Sequence, residues 1–310
     1  MDNETSYNDD MKIGKLAINL VKIKCCYENG KKFKHLTYDD KYQPRHNIPY
    51  IEDKNNYHRY DLYYPPKDIK KKNCLIIDIH GGGYIFGHRH ENYNFGTVFL
   101  DAGFDFIAID YVPNNGRRSI NDIVDQCVKC IIHIIDHLEE YGFSKDYPIV
   151  LTGDSAGGHL ASTITELICD KEYQKELGYD IPSVNLKALL INCPVFDFIH
   201  LGDDYLTNSG KKRLYGPTYA DMDKRALIDP IVHIDSLKVP FFVSSTKTDF
   251  IRTIGAETAV KAMEGRKNAF EYLYIDDDFT GHVHNILDIT TPESKKVNQA
   301  MIDFIDRSLK

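Results

Sequence analysis

No apolar stretch in this 310-residue sequence approaches the ~20 residues that a membrane-spanning helix needs. The nearest one, Ile13–Ile23, is interrupted by Lys15, Asn19 and Lys22. The first residues, MDNETSYNDDM, lack the basic start and the apolar core of a signal peptide. We therefore expect a cytoplasmic protein with no stable membrane insertion.

The sequence also lacks an excess of basic residues, with 38 Lys and Arg against 46 Asp and Glu and a formal net charge of −8. No basic stripe with interleaved aromatic residues is present, so we predict no nucleic-acid partner. The seven cysteines are an odd number in a long chain, which argues against a disulfide framework and for reduced thiols. The oligomeric state is left open, with a homodimer as one option.

Short apolar runs alternate with helical patterns from about residue 50 onward. The run Cys74–Ile79 (CLIIDI) is almost wholly apolar, which is typical of a strand covered on both faces. Strands are predicted at 57–64, 74–79, 104–110, 149–152, 186–192, 241–245 and 270–275, and helices at 120–141, 156–169, 254–263 and 292–309. This alternation predicts a single α/β domain over residues 1–310, with a mainly parallel sheet and helices on both faces.

Two segments outside this alternation are predicted to form a small cap near the site. Residues 11–24, within an N-terminal segment taken as 1–50, carry apolar residues at nearly helical spacing with lysines between them. The pattern favours a helix laid over the body of the protein, and a mobile cap over an active site is the second interpretation. Membrane-surface binding is the third, because the stretch is short and lacks Trp or Phe anchors. The polar stretch 196–232 is predicted to be a partly helical insertion that serves as a cap or lid.

A serine stands at the centre of the motif Gly153–Gly157 (GDSAG), between an apolar strand and a helix-forming run. This strand–turn–helix context is that of a nucleophile elbow, in which the glycines permit a tight turn. The alternative is the glycine-rich turn of a nucleotide-binding protein, but these glycines do not form G-x-G-x-x-G. Ser155 is therefore the predicted nucleophile, at a helix N-terminus that favours developing negative charge.

Three successive glycines follow the predicted strand 74–79, in the stretch His80–Tyr84 (HGGGY). Their backbone amides are unshielded by side chains, so a carbonyl oxygen can approach them as acyl transfer requires. Tyr84 and Phe86 come next, and they are candidates for the wall of a substrate pocket or for loop packing alone. The glycine triplet is thus predicted to supply oxyanion donors.

The glycine triplet together with Gly153–Gly158 (GDSAGG) resembles the hormone-sensitive-lipase-like branch of the α/β-hydrolases and related bacterial carboxylesterases, over about residues 50–310. The resemblance implies an α/β-hydrolase fold with eight strands, an acyl-enzyme mechanism, and neither metal nor other cofactor. It also implies that the amides of Gly82, Gly83 and Ala156 form the oxyanion hole. The sequence differs from many members in one place, where Val112–Asn115 (VPNN) replaces an Arg-Leu-Ala-Pro-Glu run.

The acid and the base of such hydrolases follow the serine in the order Asp or Glu, then His. Asp249 comes directly after the predicted strand 241–245 and is the predicted acid. Two histidines, His282 and His284, come after the last predicted strand. The family pattern of His, any residue, then Phe aligns His282 with the base, which leaves His284 as a pocket-lining or supporting residue. The run Asp276–Asp278 is interpreted as a solvated loop.

These residues predict a serine hydrolase that cleaves small-molecule carboxylic esters through an acyl-enzyme intermediate. A formamidase or amidase with the same triad is the close alternative, because the pocket rather than the triad sets the bond that is cleaved. A non-catalytic ligand-binding protein is the third hypothesis, although such proteins usually lose a triad member. Two ligand-like pairs, His133 with His137 and Cys127 with Cys130, each fall short of the four ligands of a structural zinc site, so no metal site is predicted.

Overall fold

Eight β-strands form one sheet within the residues that this computed structural model describes, which are 14–33, 37–203 and 206–310. The strands are β1 (Arg45–Pro49), β2 (Arg59–Tyr63), β3 (Leu75–Ile79), β4 (Asp105–Ile109), β5 (Ile149–Asp154), β6 (Leu186–Asn192), β7 (Phe241–Thr246) and β8 (Phe270–Ile275). They lie in the order β1-β2-β4-β3-β5-β6-β7-β8. β2 is antiparallel to β1 and β4, and the other neighbouring pairs are parallel, as predicted.

The described residues form ten α-helices, several of which cover the two faces of this sheet. They are α1 (Lys15–Phe33), α2 (Tyr93–Asp101), α3 (Ile120–Asp136), α4 (Ala156–Cys169), α5 (Lys171–Leu177), α6 (Asn208–Tyr215), α7 (Met222–Ala226), α8 (Ala256–Met263), α9 (His284–Leu287) and α10 (Pro292–Ser308). Side chains alternate across the central strands, so that Leu75 and Ile77 join the core under α3 and α4 while Ile76 joins the core under α2 and α10. All five residues of β3 are buried, which agrees with its almost wholly apolar sequence.

Side-chain caps fix where the long helices begin. The Ser119 hydroxyl accepts from the Asp122 amide at 3.1 Å, and the Asp122 carboxylate accepts from the Ser119 amide at 2.8 Å, which makes a capping box for α3. α10 begins at Pro292, the predicted first-turn proline, and the Thr291 hydroxyl accepts from the Ser294 amide. These local signals agree with the predicted starts of both helices.

The structure differs from the sequence-based prediction in the N-terminal segment 1–50. Residues 45–49 form β1 at the edge of the sheet, so this stretch belongs to the sheet rather than to a cap. α1 extends from Lys15 to Phe33, beyond the predicted end at residue 24, and the predicted start at 11–13 lies outside the described residues. The insertion 196–232 contains α6 and α7, and so it is partly helical as predicted.

None of the helices within the described part of the chain combines the length and the apolar content that crossing a bilayer requires. The longest ones, α1, α3 and α10, have between 17 and 19 residues and carry charged side chains along their length. This agrees with the interrupted apolar pattern of the sequence.

Candidate active site

The predicted catalytic residues converge at one edge of the sheet. Ser155 directly follows β5, the glycine loop follows β3, and Asp249 and His282 follow β7 and β8. These four strands are mutually parallel, so their carboxyl ends meet at the same edge, where open α/β sheets bind ligands. The fold thus brings together residues that lie far apart in the sequence.

Ser155 occupies a strained turn between β5 and α4. Its backbone has φ +52° and ψ −117°, which a non-glycine residue rarely adopts. The Ser155 amide donates to the Asn192 carbonyl at 2.9 Å, which holds the turn against β6. A Cβ at Gly157 would lie 1.9 Å from the carbonyl oxygen of Ile79, so only glycine fits beside this turn. The predicted nucleophile elbow is therefore present in the backbone.

The predicted acid and the predicted base are hydrogen-bonded to each other. His282 Nδ1 lies 2.7 Å from Asp249 Oδ1, and the Asp249 side chain is fully buried. The bond engages Nδ1 of His282, so its Nε2 is the ring nitrogen left to act on a serine hydroxyl. His282 and Ser155 line the same cavity, and the Phe250 ring lies 4.6 Å from the His282 ring.

Cys193 lies next to this pair, a position that its apolar sequence context did not reveal. The Val283 amide donates to the Cys193 sulfur at 3.3 Å, next to the base. Ligating atoms of Cys193, Asp249 and His282 lie within 4.8 Å of one another. Burial raises the pKa of the Cys193 thiol well above its usual range, whereas a metal binds the thiolate. A thiol that stays protonated is a poor metal ligand. Cys193 therefore fits a residue that packs against Asp249 and His282 better than it fits a metal site.

The glycine loop is held by the residue that precedes the nucleophile. The Gly81 amide donates to Asp154 Oδ1 at 3.0 Å, and Asn92 Nδ2 donates to the same oxygen at 2.9 Å. Gly82 has φ +109°, and a Cβ there would lie 2.2 Å from the Phe86 carbonyl oxygen, so this turn needs glycine. Asp154 thus connects the predicted oxyanion loop to the elbow.

A second buried carboxyl group lies behind this connection. Asn92 Nδ2 donates at 2.9 Å to Asp78 as well as to Asp154. Burial raises the pKa of Asp78 far above its usual range, with the nearby Asp154 charge adding to the effect, and burial also raises the pKa of Asp154. Asn92 bridges the two groups, yet the sequence around it has no pattern that indicates this role.

Gly82, Gly83, Tyr84 and Phe86 line the cavity, and Ala156 is buried at the start of α4. His284 is not among the residues of the cavity wall, so of its two predicted places, pocket-lining or supporting, only the supporting one stays a prediction. α9 begins at this residue and presents Ile286 and Leu287 to the cavity, while the His284 ring is largely buried, which lowers its pKa. Both of its ring nitrogens are buried.

Asn114 lies in the stretch that departs from the family pattern, and it joins the glycine loop to α6. Its backbone N–H donates to the Tyr84 carbonyl at 2.6 Å, and its side-chain Nδ2 donates to the Leu214 carbonyl of α6 at 2.6 Å. The Arg213 guanidinium donates in turn to the Asn114 carbonyl at 3.1 Å. The local difference at Val112–Asn115 therefore provides contacts with α6.

The cavity above Ser155 has a volume of about 590 Å³ and mostly apolar walls. The α1 helix contributes Ile18 and Val21, and the 196–232 segment contributes Leu201, Leu206 and Leu214. Glu91 is the one acidic side chain besides Asp154 on the wall formed by the described residues. A volume of this size accommodates a small organic ligand with apolar groups.

The other ligand-like pairs are packed into α3 and its end. The rings of His133 and His137 stack with centroids 4.0 Å apart. Cys127 and Cys130 are fully buried, and burial raises the pKa of both thiols. Both pairs have the environment of packing residues.

The family model BD-FAE matches residues 60–260, about two thirds of the chain. The chain belongs to the BD-FAE family. The match includes the glycine loop, the elbow and Asp249, and the sequence resemblance to the esterase branch of the α/β-hydrolases is confirmed.

Two curated relatives of this BD-FAE protein are named as esterases. The probable carboxylic ester hydrolase LipM of Mycobacterium tuberculosis is 24% identical over 228 residues, which are 72% of this chain and 52% of LipM. The probable isoprenylcysteine alpha-carbonyl methylesterase ICME of Oryza sativa is 24% identical over 236 residues, which are 69% of this chain and 56% of ICME. The chain thus spans only about half the length of these relatives.

The fold is shared with esterase B of Lactobacillus rhamnosis, which was crystallised as the enzyme inhibited by a tributyrin phosphonate. The two chains superpose with a TM-score of 0.82 at 20% identity, and the match covers 95% of each. The predicted α/β-hydrolase fold is thereby confirmed for the BD-FAE protein.

Proposed function

We propose that this chain is a serine carboxylesterase in which Ser155 is the nucleophile, His282 the general base and Asp249 the acid that orients the base. The observation that carries the proposal is the 2.7 Å contact between Asp249 and His282, together with the cavity that His282 and Ser155 both line. The strained Ser155 backbone adds support, because such strain is typical of activated residues. This complete set gives no support to a non-catalytic role.

The proposed chemistry proceeds in two half-reactions. His282 accepts the hydroxyl proton as Ser155 Oγ bonds to the ester carbonyl carbon, and amides of Gly82, Gly83 and Ala156 stabilise the oxyanion. The protonated His282 then donates its proton to the leaving alcohol as the carbon–oxygen bond breaks. Water attacks the acyl-serine in the same way, with His282 as base, and releases the carboxylic acid. No cofactor takes part in these steps.

The names of the relatives favour esters over amides as substrates. LipM is named a probable ester hydrolase, ICME a probable methylesterase, and esterase B was crystallised with a phosphonate analogue of tributyrin. The apolar cavity walls agree with uncharged acyl chains. We therefore propose small carboxylic esters with apolar acyl groups as the substrate class.

The test uses p-nitrophenyl butyrate with the wild-type chain and Ser155→Ala. We expect the substitution to abolish turnover above the solution rate and to abolish covalent labelling by a fluorophosphonate. Ser144→Ala, on the exposed loop after α3, is the matched control and should keep both activities. A wild type that is neither faster than Ser155→Ala nor labelled would refute the proposal.

We also propose that α1 and the 196–232 segment act as the cap that limits acyl length. Support comes from the five apolar side chains that they add to the cavity wall. Leu214→Trp would fill part of the cavity, so it should slow p-nitrophenyl octanoate hydrolysis more than acetate hydrolysis. Equal effects on both esters, in a variant with unchanged melting temperature, would contradict the role of this wall. The cytoplasmic location and the homodimer stay predictions.

A further inference from the structure

The α1 helix exposes a continuous apolar stripe. Leu16, Leu20, Ile23 and Tyr27 are spaced by four, three and four residues, so they lie on one face of the helix. Their exposed fractions are 73%, 58%, 64% and 62%, which are high for large apolar side chains. Four such side chains along three turns form a contiguous exposed apolar surface, which is typical of an interaction site.

Other side chains and the first backbone amide of α1 hold the helix against the cavity and α6. Ile18 is 7% exposed and lines the cavity, and Asn19 Oδ1 accepts from Arg213 Nε of α6 at 2.8 Å. The Lys15 amide donates to the Ser209 hydroxyl at 3.0 Å. These contacts fix the rotation of α1, so that its exposed stripe is directed away from the body of the protein.

Further exposed apolar side chains border the cavity. Val21 of α1, Phe250 after β7 and Leu287 of α9 all line the cavity and are themselves exposed by 48%, 75% and 56%. Exposed apolar surface is therefore present both on the α1 stripe and at the cavity.

The charge of this region is opposite to that of the rest of the chain. Residues 12–34 contain seven lysines and a single acidic residue, Glu28, in a chain with a net charge of −8. Lys15 and Lys24 of this stretch are exposed on α1 beside the stripe. A basic helix with an apolar face is typical of segments that lie in the interface of an anionic lipid layer.

We propose that α1 docks on an anionic lipid surface, with Leu16, Leu20 and Ile23 inserted. A second copy of the chain fits this surface less well, because a two-fold contact would bring two lysine-rich helices together. The sequence alone did not favour this partner, since the stretch 11–24 is short and lacks Trp or Phe anchors. In the structure α1 has 19 residues, and this length adds the exposed Tyr27 to the stripe.

The test is co-sedimentation of the full chain, carrying Ser155→Ala, with two kinds of vesicle. We expect binding to phosphatidylcholine vesicles that contain phosphatidylglycerol, weaker binding as salt is raised, and little binding to phosphatidylcholine alone. Leu20→Ser with Ile23→Ser should lower the bound fraction roughly tenfold. Val232→Ser is the matched control, because Val232 is 50% exposed and lies outside the cavity wall and α1.

Three outcomes would overturn the proposal. They are absence of binding to the anionic vesicles, equal binding by the Leu20→Ser, Ile23→Ser variant, and a change of that variant from dimer to monomer in sedimentation velocity. The last would assign the stripe to a contact between copies. Because the binding assay needs no catalysis, its result is independent of the proposed esterase activity, which soluble p-nitrophenyl esters test separately.

Discussion

His282 Nδ1 lies 2.7 Å from Asp249 Oδ1 although 33 residues separate the two positions. The contact exists because β7 and β8 are neighbouring parallel strands whose carboxyl ends carry the two loops. Asp249 accepts a further bond from the Ile251 amide at 3.2 Å, which fixes the carboxylate. The geometry therefore favours a proton on Nδ1 of His282, which leaves Nε2 for the proposed role as base.

Asp249→Asn should lower kcat for p-nitrophenyl butyrate by roughly 10³–10⁴-fold, because the amide stabilises the wrong tautomer and does not stabilise the imidazolium. Steady-state kinetics on the folded variant provides the measurement. Asp276→Asn is the matched control, since Asp276 is an exposed carboxylate on the loop after β8. Comparable losses in both variants would exclude Asp249 as the acid.

The two neighbouring histidines should respond differently to removal. We expect His282→Ala to reduce kcat as far as Ser155→Ala does, because both remove part of the proposed proton transfer. His284→Ala should keep kcat within about threefold, since His284 is outside the cavity wall and a modest shift in packing is its main effect. Loss of turnover in His284→Ala alone would reverse the assignment of the base.

Asp154 should act as a positioning residue for the oxyanion loop. Asp154→Ala removes the acceptor of the Gly81 and Asn92 bonds, so kcat should fall by roughly 10–10²-fold with little change in KM. Asp154→Asn retains an acceptor oxygen and should restore most of kcat. Equal kcat values in the two variants, or a rise in KM that parallels the fall in kcat, would argue that Asp154 has only a structural role.

The sequence predicts the central part of the fold well because local and global signals agree there. β3, β6 and β8 are short apolar or β-branched runs, and their predicted bounds match the structure within one residue. β1 was not predicted, since Arg45–Pro49 is a half-exposed edge strand without alternation. α2 was also missed, because a glycine in its middle lowers the helix propensity.

The candidate site was predictable where one motif carries the chemistry. Ser155 and the glycine loop each lie in a contiguous signature next to a recognisable strand. The supporting contacts depend on the topology instead: Asn92 meets Asp154 across 62 residues, and Cys193 meets Val283 across 90. No local pattern encodes such pairs, so only the three-dimensional structure identifies them.

The buried His159 should make the protein less stable in acid. His159 is fully buried on α4, and its Nε2 lies 2.7 Å from the Ile228 carbonyl oxygen. Burial lowers its pKa from 6.5 to about 4, so the unfolded chain binds a proton between these values while the folded chain does not. The free energy of unfolding should therefore fall as the pH drops from about 6.5 to 4, and His159 should account for about 3 kcal/mol of that fall.

His159→Gln keeps a donor for the Ile228 carbonyl but cannot take up this proton. Urea unfolding at a series of pH values should therefore show a shallower acid dependence for this variant than for the wild type, even if its stability at neutral pH is lower. His200→Gln serves as the control for the loss of a histidine that is not buried, because the His200 side chain is 62% exposed. If His159→Gln followed the wild-type slope, the proton uptake on unfolding would have to come from other histidines, and the assignment to His159 would be wrong.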